Sequence, residues 1–146
     1  MDARTLAQDY LAEQHMMQLA TIHEGAPWIC TVYFVYDEDY NLYWISLPSR
    51  QHSQDIVADP HVAAAIAIKF AKGEKVAGLQ YTGTATRIQP TIEIAHKYAD
   101  RFNRTADWVQ DFTNGKTENQ LYKLTPSQIY LFDDTHFPGG VRQKVL

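Results

Sequence analysis

The sequence predicts a mainly β chain, folded as a small antiparallel barrel of six to seven strands with helices at its periphery. Three observations carry this prediction. About seven runs rich in β-branched and aromatic residues succeed one another, several at hairpin spacing. The longest, Val76–Gln89, holds Gly78 and Gly83 within its strand pattern, the mark of a bend, a bulge or a close backbone approach. Strands do not alternate regularly with helices, which disfavours a doubly wound sheet.

In chain order, Ala3–Gln14 reads as a helix, with Leu6, Ala7, Tyr10 and Leu11 on one face and Asp2 as its cap. Met17–His23 is a first strand, turned by Glu24-Gly25-Ala26-Pro27, with Pro27 at a strand edge where a missing N–H is tolerated. Trp28–Tyr36 and Leu42–Leu47 flank the polar turn Asp37–Asn41 and read as a hairpin. Pro48 ends the second of these strands. The run Ser49–Gln54 then leads into a short helix that stops near Asp59-Pro60. Val62–Phe70 is nearly all apolar, which predicts a strand buried on both faces. Beyond Val76–Gln89, Ile92, Ala95, His96, Ala99 and Phe102 share a helical face. A second short helix covers Ala106–Phe112 and is stopped by Asn114-Gly115. Asn119–Thr125 alternates as a strand, Thr125-Pro126-Ser127 kinks it, and Gln128–Phe132 resumes it. Repeats and linkers are missing from this pattern, so residues 1–146 read as one domain.

Composition limits the function classes. The net charge is −4 and there is no basic run, so no stripe exists to displace counterions from a nucleic acid. Cys30 is the sole cysteine and reads as a core residue. The first fifteen residues lack an apolar core of signal-peptide type, and no apolar run reaches spanning length. The expectation is a soluble cytoplasmic protein.

The stretch with chemical content is Ser49-Arg50-Gln51-His52-Ser53-Gln54, between a strand end and a helix start. Hydroxyls, a guanidinium and an imidazole gather there beside free N–H groups and the positive end of a helix dipole. That arrangement suits a phosphate, which Arg50 can grip with two parallel hydrogen bonds. The plainer alternative makes Ser49 an N-cap and Arg50 a solvated charge.

Taken together, LATIHEGAPWICTVYFVYDEDYNLYWIS, SRQHSQDIVADPHVAAAI, LQYTGTA and LYKLTPSQIYLFDDTHF, in that order, resemble the pyridoxamine 5′-phosphate oxidase-like FMN-binding split-barrel family. The resemblance implies a split barrel acting as a homodimer, with FMN at the subunit interface. It implies that the second strand lines the flavin through Thr31, Val32, Tyr33 and Phe34. It also implies that Ser46, Ser49, Arg50, His52 and Ser53 hold the phosphate, with Gln80 near the ring. Relatives carry lysine where His52 falls. The C-terminal Trp and Arg-x-His unit of true pyridoxamine phosphate oxidases is missing, so that substrate is not expected.

A reduced flavin needs a cation or donor near the charge it gathers; Lys69, Gln80, Arg142 and Lys144 are the candidates. The aromatics Tyr33, Phe34, Tyr43, Trp44 and Trp108 read first as packing residues. No metal site is expected: Asp133, Asp134 and His136 read as turn residues, and His15, His23, His61 and His96 show no ligand spacing. The leading expectation is a flavin-dependent oxidoreductase acting on a small molecule, with NAD(P)H as a transient electron donor. FAD, deazaflavin and haem are the alternative cofactors. A non-enzymatic binding module and a cofactor-less dimeric binding protein are the alternative functions.

Overall fold

A computed structural model describes residues 1–68 and 71–146. Its helices are α1 (Ala3–Glu13), α2 (Gln51–Ala58), α3 (Ile92–Phe102) and α4 (Ala106–Thr113). Its strands are β1 (Met16–His23), β2 (Ala26–Tyr33), β3 (Val35–Tyr36), β4 (Leu42–Ser46), β5 (His61–Ala67), β6 (Ala77–Ile88), β7 (Gln120–Asp133) and β8 (Gln143–Lys144). All described pairings are antiparallel, in the order β2-β1-β5-β6-β7-β4-β3, with β8 against β7. The two ends of this path, β2 and β3, are joined through Phe34 alone, so the sheet must curl back on itself. Among the described residues no ladder joins β2 to β4, which leaves the barrel split there.

Apolar alternation fills the barrel. Met17, Leu19, Ile66, Leu79, Tyr81 and Leu131 point inward from four strands and are at most 2% exposed. A second cluster, with Val35, Tyr43, Tyr98, Val109 and Phe112, packs α3 and α4 onto the β3–β4 side. Trp108 stacks between Tyr98 and Phe112, at 5.7 and 5.2 Å, and so packs helix against helix. Each helix but α2 begins with a side-chain cap: Asp2, Thr91 and Thr105 accept from the N–H three residues on.

Two polar devices fasten α1. Arg101 of α3 donates to the carbonyls of Leu11, Ala12, Gln14 and Phe34, satisfying the open end of α1 while its guanidinium lies over the rings of Phe34 and Tyr36. Tyr10 donates to the buried carboxylate of Asp133 at the end of β7, which also accepts from the backbone of Thr135 and His136 and pairs with the His136 ring. The Asp133–His136 group is therefore a structural knot: Asp134 and His136 are turn residues as read, but Asp133, 3% exposed at the end of β7, is not a solvated turn residue.

Four expectations need correction. Trp28–Tyr36 is not one strand: β2 pairs with β1, and the chain breaks at Phe34, so the expected hairpin with β4 is reduced to the two residues of β3. The kink at Pro126 does not end β7. The β6–β7 register shifts between Thr82 and Gly83, Gly83 faces Pro126, and the ladder continues. The tail strand β8 has no counterpart in the prediction. The described part of the predicted strand Val62–Phe70 is buried on one face only; Ala65 and Ala67 are exposed on the outer face of β5. The apolar run arises because the outward residues are small alanines. The end of that predicted strand, Lys69 and Phe70, lies outside the described residues.

Candidate functional site

The first turn of α2 is built differently from those of the other helices. Pro48 ends β4's path, and Arg50 takes the N-cap position with extended dihedrals (φ −67, ψ 147) and no side-chain cap bond. Ser49 is exposed and does not cap, so the plainer reading of this residue does not hold. No acidic residue stands in the first turn. The helix therefore presents N–H groups and dipole at a point where Arg50, exposed, adds a full positive charge.

Around this point the structure gathers several of the predicted residues. The ring of His52, half-buried, shares a 2.8 Å hydrogen bond between Nε2 and Ser46 Oγ. Burial, followed by the charge of Arg50, pushes its pKa below the ordinary histidine value. His52 is thus a neutral hydrogen-bonding group at neutral pH. Gln51 Nε2 is buried and has no partner among the described residues. Ser53 is 1% exposed, and its hydroxyl is also unpartnered. On the helical wheel Ser53 sits about 100° round from His52. Continuing the β3–β4 register backwards sets Val32 level with Ser46 across the split, where β2 and β4 are neighbouring strands without a ladder.

The remaining predicted residues lie elsewhere. Thr31 and Tyr33 are exposed on β2. Thr31 accepts from Gln18, and Tyr33 packs on Phe102 at 4.8 Å. Phe34 is fully buried in the barrel core beneath Arg101, so its ring packs and lines no cleft. Gln80 is exposed on β6, where Arg142 Nη1 donates to its Oε1 at 3.1 Å while lying 4.3 Å from the Tyr130 ring. Two of the cation candidates are thus brought together, whereas Lys69 is outside the described residues. Eight residues of β6 separate Gln80 from Ile88, which is level with the β4 end through β7; that is about 27 Å of strand. Gln80 and the Ser46–His52 group therefore occupy opposite ends of one chain.

The sequence reading missed Asp55. Its buried carboxylate accepts from Thr21 Oγ1 at 2.8 Å and pairs with His23 Nδ1 at 2.7 Å. This holds the body of α2 against β1. The partners lie more than thirty residues apart in sequence, so no local pattern marks them.

The fold, its split and the α2 turn can be compared with known proteins. A family profile described as pyridoxamine 5′-phosphate oxidase matches residues 4–133. The chain belongs to this family. A UPF0306 protein of Pasteurella multocida is 21% identical over 133 residues, covering 90% of this chain and 89% of that one. Among solved members of the fold, the haem storage protein from Vibrio cholerae has a TM-score of 0.71 at 15% identity, covering 90% of this chain and 95% of its own. An FAD-binding protein from Mesorhizobium loti has a TM-score of 0.67 at 17% identity, covering 88% and 92%. At such identities these structures establish the split barrel alone. Among the described residues no helix is long and apolar enough to cross a membrane.

Proposed function

We propose that this chain binds FMN between the two copies of a homodimer and acts as a flavin-dependent oxidoreductase on a small organic molecule. The observation that carries the reading is the uncapped, acid-free first turn of α2, with Arg50 at its cap position and Gln51 Nε2 buried without a partner. A phosphate would satisfy both needs at once: its oxygens accept from the free N–H groups and from the orphaned amide, and its charge pairs with the guanidinium. The donor set fits the group.

The roles of the chain's own residues follow from their placement. Arg50 would clamp the phosphate, with Ser49 beside it; the Ser46–His52 pair uses one hydrogen in its mutual bond and would offer the other to the phosphate. Ser53 would contribute its N–H. The edge of β2 at Thr31–Tyr33 would lie along the cofactor at the split. The Gln80–Arg142 pair of the second copy would set a cation against the ring. A bound flavin supplies the hydride and electron chemistry itself. The fold's occurrence in an FAD-binding protein supports a flavin.

The test is direct. Purified protein is expected to be yellow and to release FMN on denaturation, identified by mass spectrometry, and to bleach under NADPH without oxygen. Arg50→Ala should weaken FMN binding about 10- to 100-fold, the loss of a charge-assisted bidentate contact. Colourless protein that refuses added FMN would overturn the proposal, and release of FAD or a deazaflavin would correct the cofactor.

A second reading, haem binding, has one specific support besides the haem storage protein of the same fold. Asp55 engages Nδ1 of His23, the arrangement that orients a histidine's Nε2 toward iron. A Soret band abolished by His23→Ala, with no flavin released, would decide for it.

A further inference from the structure

Beyond the cofactor reading, and independently of it, we propose that the cleft between α2 and the C-terminal part of β6 is a second ligand site. Its ligand is a small organic anion, a carboxylate or phosphate head on an apolar body. The cleft encloses about 510 Å³, within the range of small-molecule sites. Its apolar walls include Pro48, Ile56, Val57 and Ala85, with Tyr122 among the lining residues, its ring stacked 5.8 Å from Trp44. No aspartate or glutamate lines it, in a chain whose net charge is −4.

The polar groups point to the sign of the ligand. Ser53, 1% exposed, lines this cleft and its hydroxyl has no partner. It stands in the first turn of α2, about 100° round the helix from His52, among the residues that line the β6 side. Arg87, exposed on β6 opposite Tyr122, is the cation of the lining. Among the described residues no carboxylate pairs with it. Arg87 also borders a neighbouring recess with Asn114, Asn119 and Gln120, whose polar walls do not suit an apolar body. A buried hydroxyl left unpartnered and a cation without a counterion together ask for an anion, and the walls ask for an apolar remainder.

The experiment uses isotopically labelled protein as purified, with any bound cofactor, titrated with benzoate and phenyl phosphate and with benzyl alcohol as the neutral probe of similar size. Both anions are expected to shift the Ser53, Gln54 and Arg87 resonances saturably and to bind at least tenfold more tightly than benzyl alcohol. Arg87→Gln, at an exposed position, should keep the native spectrum and the flavin absorbance yet weaken anion binding at least tenfold. Ser53→Ala should weaken it several-fold. Equal binding of benzyl alcohol, unchanged affinity in Arg87→Gln, or shifts centred on Ser46 and His52 would overturn the proposal. Arg50→Ala separates the two readings: it should cost flavin and leave benzoate binding intact.

Discussion

His52 shows how one side chain's state follows from its burial. Its imidazole is half inside the protein, beside the guanidinium of Arg50, and both influences favour the neutral ring. The Ser46 hydroxyl then fixes its orientation. A neutral donor serves a phosphate less well than a permanent charge does. His52→Lys should therefore tighten FMN binding about tenfold at pH 7.5, measured by quenching of flavin fluorescence. Unchanged or weaker affinity would remove position 52 from the phosphate site. Gly83 is a second position where one atom decides. A Cβ there would stand 2.1 Å from the carbonyl oxygen of Thr125, so backbone must move. The glycine sits at the register shift that lets β7 continue past Pro126. Gly83→Ala should cost about 3 kcal/mol in chemical denaturation, as overpacking against an unyielding neighbour does. A loss of under about 0.5 kcal/mol, the ordinary surface range, would show that the bulge tolerates a side chain.

At the scale of elements, α2 is held to β1 by Asp55, and the hold depends on pH through His23. The hydrogen bond that His23 donates to Asp55 raises the His23 pKa, so the folded state prefers the protonated ring. The groups facing that ring are Asp55, the Glu24 carboxylate 3.8 Å from Nε2, and Trp28. The stabilisation is therefore complete below the ordinary histidine pKa of about 6.5 and is lost as pH rises through the raised folded value. The melting-temperature gap between wild type and His23→Gln should be widest near pH 6 and close by pH 9, and Asp55→Asn should abolish its pH dependence. A gap constant across that range would refute the coupling. The same elements show what a sequence discloses. β1 and β6 were legible to within a residue at each end because their alternation and glycines are local signals, and the closeness of Ser46, Arg50 and His52 was legible because one stretch of seven residues holds them. The Asp55 knot was not, since its partners lie on another strand. Nor was the break at Phe34: nine consecutive strand-forming residues give no sign that Arg101, far along the chain, will draw one of them inward.

At the scale of the whole molecule, the barrel leaves one broad face uncovered. Register aligns Thr31, Gln18, Ala65, Gln80 and Tyr130 in a row across five strands, with Ile29, Ala20, Ala63 and Thr82 in the next. Ile29 is 62% exposed on this face, and small alanines stand between the polar Gln18, Gln80 and Thr82. The proposed second copy of the chain would pack here. About 27 Å of β6 runs between Gln80 and the level of the β4 end. In the proposed dimer the second copy, packed face to face, would bring its Gln80–Arg142 pair to a flavin anchored at the first copy's α2. Ala65→Glu tests this, because the residue is exposed at the centre of the face, between Gln18 and Gln80. The variant should keep the wild-type circular dichroism but sediment near the 16.7 kDa of a single chain. It should also lose its flavin on gel filtration, while wild type sediments as a dimer and stays yellow. If Ala65→Glu became monomeric yet held FMN at wild-type affinity, the cofactor would belong to one chain alone, and the Gln80–Arg142 pair would have no part in holding it.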